Sequence, residues 1–241
     1  MAIYGLKNET VEIQIQSKGA ELKSLKRRSD GTEYLWNADP AFWGRTSPVL
    51  FPFVGGVKNK EYRTKGQTFS MGQHGFARDM EFALLSQEED EIWFVLKDSE
   101  QTRQNYPYAF VLKLGYRLLE AGVEVCWQVE NPGEEELPFS IGGHPAFNCP
   151  IKDGEKQTDY FLRFDAQEKV VSTRVSDKGM ATDEKDTYML DQGYLQITEH
   201  MFDHDTLVIE HDQAKEVAFC RTDKTPYLTV KMEVRLFGIW S

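Results

Sequence analysis

The stretch Phe110-Val111-Leu112-Lys113-Leu114-Gly115-Tyr116-Arg117-Leu118, followed after a short break by Val123-Glu124-Val125-Cys126-Trp127-Gln128-Val129, decides the fold. Apolar residues fall at every second position, and alternate residues of an extended chain share a face, so each run is a strand with one side turned to a core. The same period recurs in Val11-Glu12-Ile13-Gln14-Ile15-Gln16. It is cleanest in Leu228-Thr229-Val230-Lys231-Met232-Glu233-Val234-Arg235-Leu236, which reads as one long strand. Turn signals at Ser29-Asp30-Gly31, Asn131-Pro132-Gly133 and Lys152-Asp153-Gly154 separate such runs. Helical periodicity is confined to Ser99 through Asn105, a short helix ended by Pro107. Many short strands with turns between them predict a large all-β sandwich or barrel, a single domain over residues 1–241. The stretch from Gln167 to Asp191, rich in charged and small polar residues, reads as a long exposed excursion.

A chain of 241 residues can bury a substantial core. Its 28 basic and 39 acidic residues leave a net charge of −11, which argues against nucleic acid or an anionic membrane as partner, since both demand a basic face. No apolar run approaches the roughly 20 residues that span a bilayer. The start, Met1-Ala2-Ile3-Tyr4-Gly5, lacks the charged and apolar regions of a leader, so a cytoplasmic protein is expected. Cys126, Cys149 and Cys220 are odd in number, far apart and in no CxxC pair, which indicates neither a disulfide framework nor a zinc clip. Cys149 lies near His144, but Pro150 and the lack of a supporting base motif argue against a nucleophile there.

Two histidines carry the chemical interest, His74 in Gln73-His74-Gly75-Phe76-Ala77-Arg78 and His144 in Ile141-Gly142-Gly143-His144-Pro145-Ala146-Phe147-Asn148. Glycine lets a backbone approach a ligand closely, and imidazole exchanges protons near neutral pH. Taken singly, His74 reads as a loop residue that caps a strand or bonds a backbone carbonyl. Arg78, four residues on in an extended segment, would share its face and could hold an oxygen substituent. Between Trp43 and Asn59, aromatics, two prolines and a Gly-Gly pair accompany Arg45 and Lys58. That is either a rigid corner of the core or a surface that grips a sugar, whose C–H groups lie on the ring face and whose hydroxyls line its edge. Asp205, before the apolar run Leu207-Val208-Ile209, either caps that strand or binds hydroxyls at its entrance. His200 and His204 are four apart, but Met201 stands where a zinc protease carries its acid, so no metal site is expected. No GxSxG elbow, GxxxxGK[ST] loop or GxGxxG turn occurs, and no cofactor is expected.

These residues resemble the aldose 1-epimerases, or galactose mutarotases, of the bacterial LacX-type branch. The resemblance rests on Arg45 to Asn59, His74-Gly75-Phe76-Ala77-Arg78, Tyr106-Pro107-Tyr108, Pro138 to Asn148 and Phe237-Gly238-Ile239-Trp240-Ser241. It implies a large antiparallel β-supersandwich with few short helices, a cofactor-free isomerase and an open cleft for one pyranose. It further implies that His144 protonates the ring oxygen, that His74 holds the C1 or ring oxygen, and that Arg45, Arg78 and Asp205 orient hydroxyls. An imidazole titrating near pH 6.5 would suit the exchange. The family's base resembles a glutamate in a strand after the Gly-Ile-Trp-Ser stretch. The chain stops at Ser241, so an absence of C-terminal strands and an incomplete catalytic pair are expected. Two other readings share the cleft: a carbohydrate-binding or sugar-sensing protein without chemistry, and a hexose 6-phosphate mutarotase with Arg45, Lys58 and Arg78 as an anion clamp. A lyase of uronic-acid polymers ranks behind both. The sequence leaves the sugar and the oligomeric state open, a homodimer included.

Overall fold

The computed structural model describes residues 1–176 and 179–241. Residues Met1–Asn148 and Cys149–Ser241 form two compact units, each with its own core. Regular structure is dominated by antiparallel strands, in keeping with the all-β expectation.

The first unit contains β1 (Ile3–Lys7), β2 (Val11–Gln16), β3 (Glu21–Arg27), β4 (Val49–Leu50), β5 (Glu61–Thr64), β6 (Gln67–Ser70), β7 (Ala83–Gln87), β8 (Glu91–Lys97), β9 (Val111–Leu119), β10 (Gly122–Glu130) and β11 (Gly142–Gly143). They form sheets in the orders β1-β2-β3 and β10-β9-β8-β7, with smaller pairs β11-β4 and β5-β6. The alternation that predicts strands also sets their register. In the β9–β10 hairpin Leu112 faces Val129, Leu114 faces Trp127, Tyr116 faces Val125 and Leu118 faces Val123. Apolar partners therefore stand opposite one another, and Leu112, Leu114, Tyr116 and Leu118 are all buried. The short helix expected at Ser99 is α1 (Glu100–Arg103), where the Ser99 hydroxyl accepts from the Thr102 N–H in a capping box.

The second unit contains β12 (Phe161–Phe164), β13 (Lys169–Val175), β14 (Ala181–Met189), β15 (Tyr194–Gln196), β16 (Leu207–Glu210), β17 (Glu216–Cys220), β18 (Pro226–Lys231) and β19 (Leu236–Ile239), in sheets ordered β15-β12-β17-β18 and β14-β13-β16-β19. Two sequence expectations are corrected here. The polar stretch 167–191 is largely the β13–β14 pairing, with residues 177 and 178 outside the described residues. Its charges are cross-strand partners: Arg174 bonds Asp186 at 2.6 Å and Glu184 at 2.8 Å, while Val170 and Ser172 turn into the core. Composition registers such charges as loop because it does not see which partner each one faces. The long alternation from Leu228 to Leu236 also divides, β18 pairing with β17 and β19 with β16. A bend that keeps the period of two leaves no mark on the pattern.

Among the described residues no helix is long and apolar enough to cross a membrane. The segments that carry Arg45, His74, Arg78 and His144 all belong to the first unit. They lie between β3 and β4, between β6 and β7, and beyond β11.

Candidate active site

The first structural decision is the pairing of β4 with β11, which sets Val49 against Gly143 and Leu50 against Gly142. Backbone bonds extend it on both sides. The His144 N–H donates to the Pro48 carbonyl at 3.0 Å, the Ala146 N–H to Thr46 at 2.8 Å and the Ser140 N–H to Pro52 at 2.9 Å. The His144 segment is thus fixed along the chain that leads from Arg45.

The His74 segment is held from the other end of the same stretch. The carbonyl of Phe51 accepts from the N–H groups of Phe76 and Ala77 at 3.0 and 3.2 Å, and Phe51 bridges to Gly75 in parallel. A Cβ at Gly75 would lie 2.2 Å from the Phe51 oxygen, and its φ of +70° disfavours any side chain, so only glycine fits. His74 itself has φ +67°, uncommon for a residue with a side chain. Its N–H donates to the Gly55 carbonyl at 2.8 Å, while the Gly55 N–H donates to His74 Nδ1 at 3.0 Å. With Nδ1 accepting, the neutral ring carries its proton on Nε2, where it is a donor.

These anchors bring the two imidazoles together, with ring centroids 5.3 Å apart and planes at 70°. Trp43 packs on His144 at 5.2 Å. Both histidines are half-buried. Burial, then the neighbouring His144, Arg78 and Arg45, push the His74 imidazole down to about 4. Burial likewise lowers His144, opposed by a backbone hydrogen bond and reinforced by Arg78. The ordinary value near 6.5 expected from sequence is therefore corrected. Both rings thus favour the neutral form more than a free imidazole does, because desolvation and the nearby Arg78 penalise a positive charge on each, and Arg45 adds to this at His74.

The expected extended segment from His74 to Arg78 is also corrected, since Ala77–Asp79 is a 3-10 turn. Arg78 still reaches the neighbourhood. Its Nη2 donates to the Gln73 carbonyl at 2.8 Å, and its buried Nε makes no hydrogen bond among the described residues. Arg45 Nη2 lies 2.8 Å from Asp79 Oδ1, and Asp79 Oδ2 is 3.9 Å from Arg78 Nε, so one carboxylate stands beside both guanidinium groups. A cleft of about 410 Å³ is lined by Gln16, Glu21, Trp43, Arg45, Arg78 and Asp79, among others. That volume is within the range of small-ligand sites. The imidazoles are not in its lining, but Trp43 belongs both to the cleft and to the packing of His144.

The remaining candidates go elsewhere. Lys58 is exposed in the 3-10 turn Lys58–Lys60 and is not among the residues lining the cleft, where Lys18 and Lys23 stand with the two arginines. Asp205, in the second unit, has φ +69° and accepts from the Thr206 N–H at 2.7 Å and hydroxyl at 2.8 Å, closing the turn before β16. His200 and His204 lie in non-helical chain, and His200 pairs with Asp203 at 3.0 Å. Among the described residues no three histidine, cysteine or acidic side chains converge as a metal site. Burial pushes the Cys149 thiol up to about 11, against a hydrogen bond with Tyr227, which keeps it protonated. Sequence reasoning missed Asp79 and Glu21. The only local signal for Asp79 is its place directly after Arg78, and for Glu21 an acid that opens a strand just after Gly19-Ala20.

Paired imidazoles and two guanidinium groups thus gather in one part of the first unit of an all-β protein, and the comparisons supply the family. Residues 2–233 match the family model described as Aldose 1-epimerase, and the chain belongs to that family. It is 34% identical over 220 residues to the chromosomal protein LacX of Lactococcus lactis subsp. lactis, a match that covers 88% of this chain and 73% of the relative. It is also similar to the crystal structure of a galactose mutarotase related enzyme from Lactobacillus acidophilus, with a TM-score of 0.93, 32% identity and coverage of 100% of this chain and 80% of the other. A galactose mutarotase-like protein from Lactobacillus casei ATCC 334 gives a TM-score of 0.83 at 25% identity, covering 98% and 86%. The fold is galactose mutarotase-like.

Proposed function

We propose that this chain is a cytoplasmic, cofactor-free aldose 1-epimerase that interconverts the α and β anomers of a hexose. The observation that carries this reading is the pair of imidazoles 5.3 Å apart, one with its tautomer set by the Gly55 N–H. Exchange of anomers passes the C1 hydroxyl proton to water and delivers one from an acid to the ring oxygen as the C1–O5 bond breaks. The open aldehyde rotates about C1–C2, and the C5 hydroxyl recloses on either face with the protons returned. His144 delivers and recovers the ring-oxygen proton, and His74, donating from Nε2, holds the oxygen on which charge develops. Arg45 and Arg78 orient hydroxyls, with Asp79 holding Arg45 in place.

Polarimetry on freshly dissolved α-glucose and α-galactose tests the proposal. The protein should hasten the decay of rotation, and His144→Ala should lower kcat by about 100-fold or more, the scale of a lost general acid, with sugar affinity largely kept. Unchanged turnover in the variant removes His144 from the mechanism. Sugar binding without any acceleration by the native chain makes the protein a carbohydrate binder instead.

A further inference from the structure

We propose that Glu21 is a positioning residue that sets the geometry of Arg45 and His144 from outside the reacting pair; this rests on the mutarotase reading above. Glu21 opens β3 and is only 4% exposed. A buried carboxylate is costly unless donors surround it, and here they come from the chain that forms the cleft. Oε1 accepts from the Thr46 N–H at 2.7 Å and the Ser47 N–H at 2.9 Å. Oε2 accepts from Gln16 Nε2 at 2.9 Å, and Lys23 Nζ stands 3.5 Å from Oε1 while donating to the Thr46 hydroxyl at 2.5 Å.

The bonds continue to the site. The residue before Thr46 is Arg45, and on its other edge the same segment accepts from Ala146 through Thr46 and from His144 through Pro48. One carboxylate therefore holds the loop whose outer side carries the His144 backbone. The turn that delivers Glu21 is itself fixed against the second arginine. The Gly19 N–H donates to the Met80 carbonyl at 2.7 Å, and a Cβ at Gly19 would lie 2.7 Å from the Arg78 oxygen. The Tyr116 hydroxyl, donating to the Ala20 carbonyl at 2.6 Å, closes the turn from the core side. Glu21 thus ties the Arg45 arm to the Arg78 arm. Both its oxygens are engaged by donors of the protein, so it is placed to hold geometry and not to take a proton from sugar.

Two conservative variants separate these roles. Glu21→Gln keeps one carbonyl oxygen in place for the Thr46 and Ser47 N–H groups, and the Gln16 amide can rotate to present its oxygen to the new amide. Glu21→Asp keeps the charge but withdraws the oxygens by one methylene. In polarimetry, alongside the native chain and His144→Ala, positioning requires Glu21→Gln to stay within about threefold of native kcat/KM and Glu21→Asp to lose tenfold or more, with kcat falling further than KM rises. The opposite order makes the charge itself essential and overturns the proposal. The His144 ring resonances in proton–nitrogen NMR, assigned by their loss in His144→Ala, give a readout independent of turnover. They should move in Glu21→Asp and stay in Glu21→Gln. Failure of the native chain to hasten mutarotation defeats the catalytic reading alone, whereas His144 resonances unmoved in Glu21→Asp, or moved equally in both variants, defeat the role of Glu21.

Discussion

At the scale of single residues, the site depends on backbone positions that only certain side chains tolerate. Gly75→Ala would set a methyl group 2.2 Å from the Phe51 oxygen at a φ of +70°. We expect it to destabilise the protein by about 1–3 kcal/mol, read as a lower urea midpoint, and to displace His74 with a matching loss of kcat/KM. The ionisation of His144 makes a second claim. If it serves as the acid, the protonated form is the active one, and burial has lowered its pKa below the ordinary value. The kcat/KM profile of the native chain should then rise as pH falls toward and below about 6.5, levelling only beneath that value. A profile that falls over the same range assigns His144 the base role.

At the scale of elements, β9 supplies the core and β4 the alignment of the site. Leu112 is fully buried and faces Val129 across the hairpin. Leu112→Ala should cost about 2–5 kcal/mol, measured by urea unfolding, because the removed atoms leave a cavity in close-packed surroundings. In the protein that remains folded, kcat/KM should be close to native, since the site is aligned by β4 and β11. The β9–β10 pairing was legible in the sequence because its two apolar faces share a period and meet in register. The pairing of β4 with β11 was not, for it joins two-residue strands separated by more than 90 positions and leaves no periodicity to read.

At the scale of the whole molecule, stability carries the imprint of the site. His74 titrates at about 4 in the folded chain and near 6.5 in an unfolded one, so between those values the unfolded state binds more protons. Stability should therefore rise with pH through that window and be lost as pH falls from about 6.5 toward 4. His74→Asn, which tolerates a positive φ and does not titrate, should flatten this slope in urea midpoints measured across the window. The net charge of −11 does not single out that slope, because it spreads over many solvated carboxylates.

By itself the sequence determined the all-β class, the faces of the strands, the acidic surface and the two histidine segments, because each of these follows from local pattern and composition. Only the tertiary structure decided that His74 and His144 share one neighbourhood, that burial lowers the pKa of both rings there, and that Lys58 does not line the cleft of Arg45 and Arg78. It also decided that a buried Glu21 braces the loop between them. Desolvation and backbone bonds between segments distant in sequence set these properties, and neither exists until the chain has folded.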